Sequence, residues 1–439
     1  MARQATHISV DEAAALVRSD SWIDYGFGLG QPDLFDKALA ERRAGLRGVK
    51  IRAGVTMRPR AVLESDPAGD HFLWFNWHFS GYDRKQHDLG RGNYIPMNFG
   101  EAPDYYRRFI EPVDLVCLKT APIDADGYFN MGPSASYQRA IVERAKLVVV
   151  ETCRSVPRAL GPGNGLHVSE VDYVIDGGAD PLPQLPAGVP GDCEIRIAGQ
   201  IAERIEDGAC LQVGIGALPN AVCGLLKDTN LRGLGIHTEM LVDGMADLIE
   251  AGIVTNERKS LDPGFTVYSF AAGSERLYRM IDGNPHLKAY AVDYTNLPSQ
   301  IARNDKVVSV NNTTEIDLQG QASSESCGPR HISGTGGQLQ FVRGAYSSRG
   351  GQSFLCLTSI YEKHGQRKSR IVPQLTPGSI VTTPRTDTMF VVTEWGMVNL
   401  KGKSVAERAL ALISIAHPEF REELEREARE NNMIPKGFY

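Results

Sequence analysis

At 439 residues the chain is long enough for two or three domains with an ample core. Its 42% apolar and 23% charged residues are ordinary for a globular protein, and a net charge of −6 argues against nucleic-acid binding, which asks for a basic face. No run approaches the roughly 18 apolar residues of a membrane span, and the first ten residues hold Arg3 and His7 without an apolar segment, so neither a membrane protein nor a signal peptide is expected.

Seven cysteines (117, 153, 193, 210, 223, 327 and 356) lack C-x-x-C spacing and read as reduced thiols, mostly packed as small hydrophobes, in a cytoplasmic protein. Along the chain, apolar runs alternate with amphipathic stretches, the pattern of an α/β protein with mostly parallel sheets. Trp74, Phe75, Trp77, Phe79 and Tyr82 read as core or interface residues. His71, His78 and His87 lie among them without cysteine partners or H-E-x-x-H spacing, so no metal site is expected. Residues 113–118 and 147–150 are β-branched runs of the buried-strand type, with a helix expected over 135–146. The segment 181–191 holds four prolines and two glycines, which cannot continue a helix or a central strand. The domain boundary is placed there, giving an amino-terminal domain over 1–185 and a carboxyl-terminal one over 192–439.

A helix over 194–205 leads into a strand near Leu211 and then into Val213-Gly214-Ile215-Gly216-Ala217-Leu218-Pro219-Asn220. Leu234-Gly235-Ile236-His237-Thr238-Glu239-Met240 follows, a second apolar strand with one carboxylate near its end. In open α/β sheets, ligands bind at loops beyond the carboxyl ends of strands. A glycine-rich turn offers N–H donors to an oxyanion, and a carboxylate beside it can act as nucleophile or base. The competing reading of Glu239 is a solvated glutamate or an N-cap partner. Glu315 and Asp317 fall on one face of a short strand and form a second carboxylate pair, read more readily as structural support. Ser333-Gly334-Thr335-Gly336-Gly337-Gln338 is too glycine-rich for a helix or strand interior. Lys363-His364-Gly365-Gln366-Arg367-Lys368-Ser369-Arg370 gathers positive charge in what reads as a loop. Lys401-Gly402-Lys403-Ser404 imitates a phosphate-binding loop, but Gly396 stands one residue too early, so nucleoside triphosphate binding is rejected. Residues 405–431 read as helical and rich in Glu and Arg.

The G-I-G-x-x-P turn followed by a strand ending in T-E-M resembles the catalytic domain of the family I coenzyme A transferases. Within that family it is most similar to the branch holding acetyl-CoA hydrolases, 4-hydroxybutyrate CoA-transferases and butyryl-CoA:acetate CoA-transferases. The likeness extends over Gly252-Ile253-Val254-Thr255-Asn256, residues 310–318 and 333–338, Val392-Thr393-Glu394-Trp395-Gly396 and Ala416-His417-Pro418-Glu419-Phe420-Arg421. In the amino half it is carried by Asn76-Trp77-His78-Phe79, Asn93-Tyr94-Ile95-Pro96 and Gly127-Tyr128-Phe129-Asn130.

The resemblance implies two similar open α/β domains of the ribose-5-phosphate-isomerase-like type, with the active site between them. It implies an acyl-CoA:carboxylate CoA-transferase in which Glu239 is the nucleophile and CoA is a substrate, with no permanently bound cofactor. Gly214, Gly216, Ala217, Leu218, Pro219 and Asn220 are expected near the CoA thioester, with an oxyanion donor around Asn220. Gly334, Gly336 and Gly337 are expected to face them, and Lys363 and Lys368 to pair with CoA phosphates. The expected partners are acyl-CoA and small carboxylic acids, together with further copies of the chain in a dimer or tetramer. Short apolar acids of the butyryl-CoA:acetate kind are favoured. The alternatives are an acyl-CoA hydrolase, a transferase for a dicarboxylate such as itaconate with succinyl-CoA, and a ligand-sensing relative of the same fold.

Overall fold

The computed structural model describes residues 5–363 and 365–438. The chain forms two compact units, Met1–Pro186 with Val267–Thr295, and Ala187–Thr266 with Asn296–Tyr439. Among the described residues no helix is long and apolar enough to cross a membrane.

In the first unit eight parallel strands form one sheet. Their order is Thr6–His7, Tyr173–Ile175, Leu147–Thr152, Leu115–Thr120, Trp22–Phe27, Val49–Gly54, Phe72–Asn76 and Gly92–Tyr94. Every residue of Leu115–Thr120 is buried, which is why the sequence shows a near-continuous apolar run there. Tyr25, Phe35 and Trp74 meet edge to face in the core beneath. Trp77 and Phe79 are also buried, whereas Phe75 and Tyr82 are only partly so. His71 and His87 bond through Nδ1 to the carbonyls of Leu46 and Gly92, and burial alone pushes His78 down to about 4. His71 and His87 thereby tie down local backbone.

The helix expected over 135–146 is shorter, Gln138–Arg144. Ser134 and Ser136 are held in bridges to Phe270 and Ala291, and Ser136 has φ +39°, left-handed backbone that a right-handed helix cannot include, so the helix starts only after it. The proline-rich stretch carries neither helix nor strand. It is pinned to the first unit where the Tyr278 hydroxyl donates to the Pro183 carbonyl at 2.6 Å and the Leu185 N–H donates to the Gly273 carbonyl.

In the second unit six neighbouring strands of one sheet take the order Gly235–Leu241, Cys210–Val213, Val307–Asn312, Gln352–Cys356, Phe390–Thr393 and Gly396–Asn399. All run parallel except the last, which folds back as a hairpin. The basic run is itself a hairpin and not a loop, with Ile360–Lys363 antiparallel to Gln366–Ser369. The carboxyl-terminal helical stretch is broken into Val405–Ser414 and Pro418–Glu430. Proline disfavours helical backbone in the residue before it, and the His417 ring instead accepts from the Glu419 N–H, capping the second helix. Leu412, Ile413, Leu424 and Ala428 of these helices close over Ile316, Leu355 and Val391 to make this unit's core.

Candidate active site

Glu239 lies on the strand Gly235–Leu241, whose start is fixed before the carboxylate is reached. Ile236 donates its N–H to Asn256 Oδ1 and accepts Lys259 Nζ at its carbonyl, both at 2.9 Å. Strand alternation then places His237 and Glu239 on one face. The Glu239 carboxylate accepts a 2.5 Å hydrogen bond from Asn296 Nδ2 and another from the Gly337 N–H. Gly337 is the N-cap of the helix Gln338–Ser347, so the carboxylate stands at a helix N-terminus, where the dipole favours negative charge. Burial nevertheless dominates and pushes Glu239 up to about 7, with the two hydrogen bonds opposing it. A carboxylate in this range is part ionised near neutral pH.

The position of Gly337 is dictated by space. A Cβ there would overlap Glu239 Oε2 and Asn296 Nδ2. Gly336 has φ +57°, a left-handed backbone that glycine adopts without cost. Residues 333–337 are therefore a loop because of what they must approach.

The G-I-G turn follows Cys210–Val213, the strand paired with the one carrying Glu239. Gly214 donates to the Val310 carbonyl, and Gly216, at φ +115°, opens the helix Ala217–Lys227 in which Leu218 and Pro219 are buried. Asn312 Nδ2 holds the turn through the Ile215 carbonyl at 3.3 Å. Asn220 spends its N–H on the Gly216 carbonyl and its side-chain amide on the Gly188 carbonyl. The donors suited to an oxyanion at this turn are accordingly the first helical amides, which have no intrahelical acceptor.

Glu315 is buried as a clamp and takes no part in this group. It accepts from the Thr376 N–H and hydroxyl and from the Ser379 hydroxyl at 2.7–2.9 Å. Asp317 likewise accepts from the Gln319 and Gln321 N–H groups. Lys368 is exposed on the basic hairpin opposite Tyr361, and the Lys363 side chain and His364 lie outside the described residues. Arg367 is drawn toward Glu362 and Glu419 at 3.6 Å.

Asn296 is the site residue that sequence reasoning missed. It is fully buried at the end of the short helix Val292–Asn296, two residues before Pro298, and no local pattern marks it. Only the fold brings it beside a residue 57 positions earlier.

The raised Glu239 carries a stability consequence. Its proton is retained in the folded state up to about 7 but lost from the unfolded chain near its ordinary value of 4.5. The folded state is thus penalised above pH 7, and the penalty disappears as pH falls to 4.5. Glu239→Gln is expected to stabilise the fold at pH 8 by about 1–2 kcal/mol after discounting for the part-exposed side chain, read as a higher melting temperature. At pH 4 it is expected to leave the melting temperature unchanged. Thermal melts at the two pH values check the sign.

The acetyl-CoA hydrolase/transferase N-terminal domain matches residues 3–186 and the corresponding C-terminal domain matches residues 273–428. A butyryl-CoA:acetate CoA-transferase of Anaerostipes caccae is 44% identical over 423 residues, 96% of this chain and 95% of that protein. A succinyl-CoA:cyclohexane-1-carboxylate CoA transferase of Geobacter metallireducens is 43% identical over 424 residues, covering 96% and 95%. The crystal structure of RipA from Yersinia pestis superposes with a TM-score of 0.89 at 37% identity, covering 98% of each chain. The chain belongs to the acetyl-CoA hydrolase/transferase family. It is an α/β enzyme that transfers CoA.

Proposed function

We propose that the chain exchanges CoA between short-chain carboxylic acids, butyryl-CoA and acetate being the favoured pair, in a ping-pong cycle through Glu239. The observation that carries this reading is a single carboxylate at a strand end, pushed up to about 7 and aimed by Asn296 and the Gly337 N–H. An oxygen of Glu239 attacks the thioester carbonyl, the C–S bond breaks, and CoA leaves as thiolate with an acyl-glutamyl anhydride behind it. The thiolate then attacks the glutamyl carbonyl of the anhydride and expels the first acid, leaving a glutamyl–CoA thioester. A second carboxylate attacks that thioester and expels CoA thiolate. Thiolate attack on the new acyl carbonyl then releases the new acyl-CoA and the free glutamate. A carboxylate suits the task because its anhydride is about as activated as a thioester, whereas a hydroxyl nucleophile would give a more stable acyl-enzyme. The turn from Gly214 to Pro219 lies along the thioester, with the N–H groups of Gly216, Ala217 and Leu218 as its donors, and the glycines at 334, 336 and 337 line the path of the thioester. Lys368, with Lys363, is assigned to the CoA phosphates.

A hydrolase would use the same glutamate but must admit water to the anhydride, whereas a transferase must keep it dry. Transfer is expected to outrun hydrolysis by at least about tenfold, since a protected anhydride waits for an acid. Consumption of butyryl-CoA with and without saturating acetate measures the ratio, since only hydrolysis consumes it when no acceptor acid is present. Equal rates would make the chain a hydrolase. Succinyl-CoA paired with cyclohexane carboxylate, run beside butyryl-CoA and acetate, ranks the acid pairs.

A further inference from the structure

We propose that Glu325 is a positioning residue for CoA transfer: acting through Thr335, it holds the glycine loop so that the Gly337 N–H meets the reacting carboxylate. Glu325 is buried between the short strands Ala322–Ser323 and Ser326–Cys327. Its main-chain carbonyl accepts the N–H groups of Ile332 at 2.8 Å and Ser333 at 3.3 Å, which fixes the entry to the loop. Its Oε2 accepts the Thr335 hydroxyl and its Oε1 the Thr382 hydroxyl, each at 3.0 Å. At the loop exit, Gln338 Nε2 donates to Ser324 Oγ at 2.8 Å and to Thr383 Oγ1 at 3.1 Å.

A loop with glycine at 334, 336 and 337 has more backbone freedom than one built of residues that carry side chains. An amide donor to a reacting oxygen must nevertheless sit within a few tenths of an ångström of its place, and an error near 1 Å costs about 10²-fold. The loop's own residues cannot provide that rigidity, since three of the five between 333 and 337 lack side chains. Glu325 provides it from the adjoining hairpin, with the Thr335 hydroxyl as its point of attachment in the loop. A buried carboxylate is costly unless hydrogen-bonded, so both hydroxyl contacts are retained in the fold and the loop stays anchored.

The inference rests on Glu239 being the nucleophile, and the test separates the two. In the full-length chain, acyl-CoA followed by borohydride labels the wild-type enzyme at Glu239 if that reading holds, and an unlabelled Glu239 overturns both. With the label in place, Thr335→Val removes the hydroxyl at nearly constant shape. It is expected to lower kcat per labelled site about tenfold while changing the KM for acyl-CoA by less than about twofold. The acid limb of kcat/KM is expected to move to higher pH, because the Gly337 N–H opposes the upward shift of Glu239. His237 is the other titratable side chain on that strand, and its chemistry is the same in every variant. Thr335→Ser is expected to restore both quantities, and Glu325→Gln to move them in the same direction as Thr335→Val. A purely structural role would lower the melting temperature and the fraction of labelled sites, with turnover per site and the acid limb unchanged. That result in Thr335→Val, or in Glu325→Gln should the first variant fail to fold, overturns the proposal.

Discussion

Glu239→Ala abolishes CoA transfer, with kcat expected to fall by at least about four orders of magnitude, the scale reached when a covalent nucleophile is deleted. Every step of the proposed cycle forms or breaks a bond to this side chain, so no neighbouring group can substitute. Glu315 has its three acceptor contacts spent on Thr376 and Ser379. Glu239→Asp keeps the charge but withdraws the carboxylate by one methylene from Asn296 and Gly337. It is expected to lose about 10²–10³-fold, because a near-attack geometry tolerates little more than a few tenths of an ångström. The measurement is butyryl-CoA:acetate exchange, paired with mass spectrometry after acyl-CoA and borohydride. Label at any other residue, or full activity in Glu239→Ala, rules out the nucleophile assignment.

Gly337→Ala is the second large effect. The added methyl has no room, because Glu239 Oε2 and Asn296 Nδ2 already occupy its place. Relief requires either the carboxylate to rotate off Asn296 or the loop to withdraw the amide, and both moves damage attack at the thioester carbon. A loss of about 10²–10³ in kcat is expected, the scale of one lost donor to a developing oxyanion. The backbone itself is tolerant, since Gly337 has φ −99°, an ordinary value for alanine. Folding should therefore survive, and circular dichroism with a wild-type melting profile would show the defect to be local. An active Gly337→Ala would mean that the loop is not in contact with the reacting carboxylate during turnover.

The position of Glu239 was legible because strand patterning is local. Apolar residues with a polar one near the strand end, after a Gly-x-Gly turn on the neighbouring strand, follow from period-two alternation and from backbone permissiveness. The break at Pro418 was equally local, and reading 405–431 as one helical stretch passed over a residue that cannot follow helical backbone easily. The basic run illustrates the opposite case. Its charge is plain in the sequence, but its hairpin pairing depends on cross-strand partners that charge counting does not consider.

By itself the sequence determined an α/β chain with buried parallel strands, the two glycine-rich segments, and one carboxylate near a strand end. These are consequences of residue size, alternation and backbone freedom, each acting within a few positions. Only the tertiary structure decided that Asn296 and Gly337, 57 and 98 residues further along, converge on that carboxylate, and that Glu315 is a clamp. It also decided that Val267–Thr295 returns to the first unit. Alternation tells which face a side chain takes but not what is packed opposite. The burial that pushes Glu239 up to about 7 is a property of those distant neighbours.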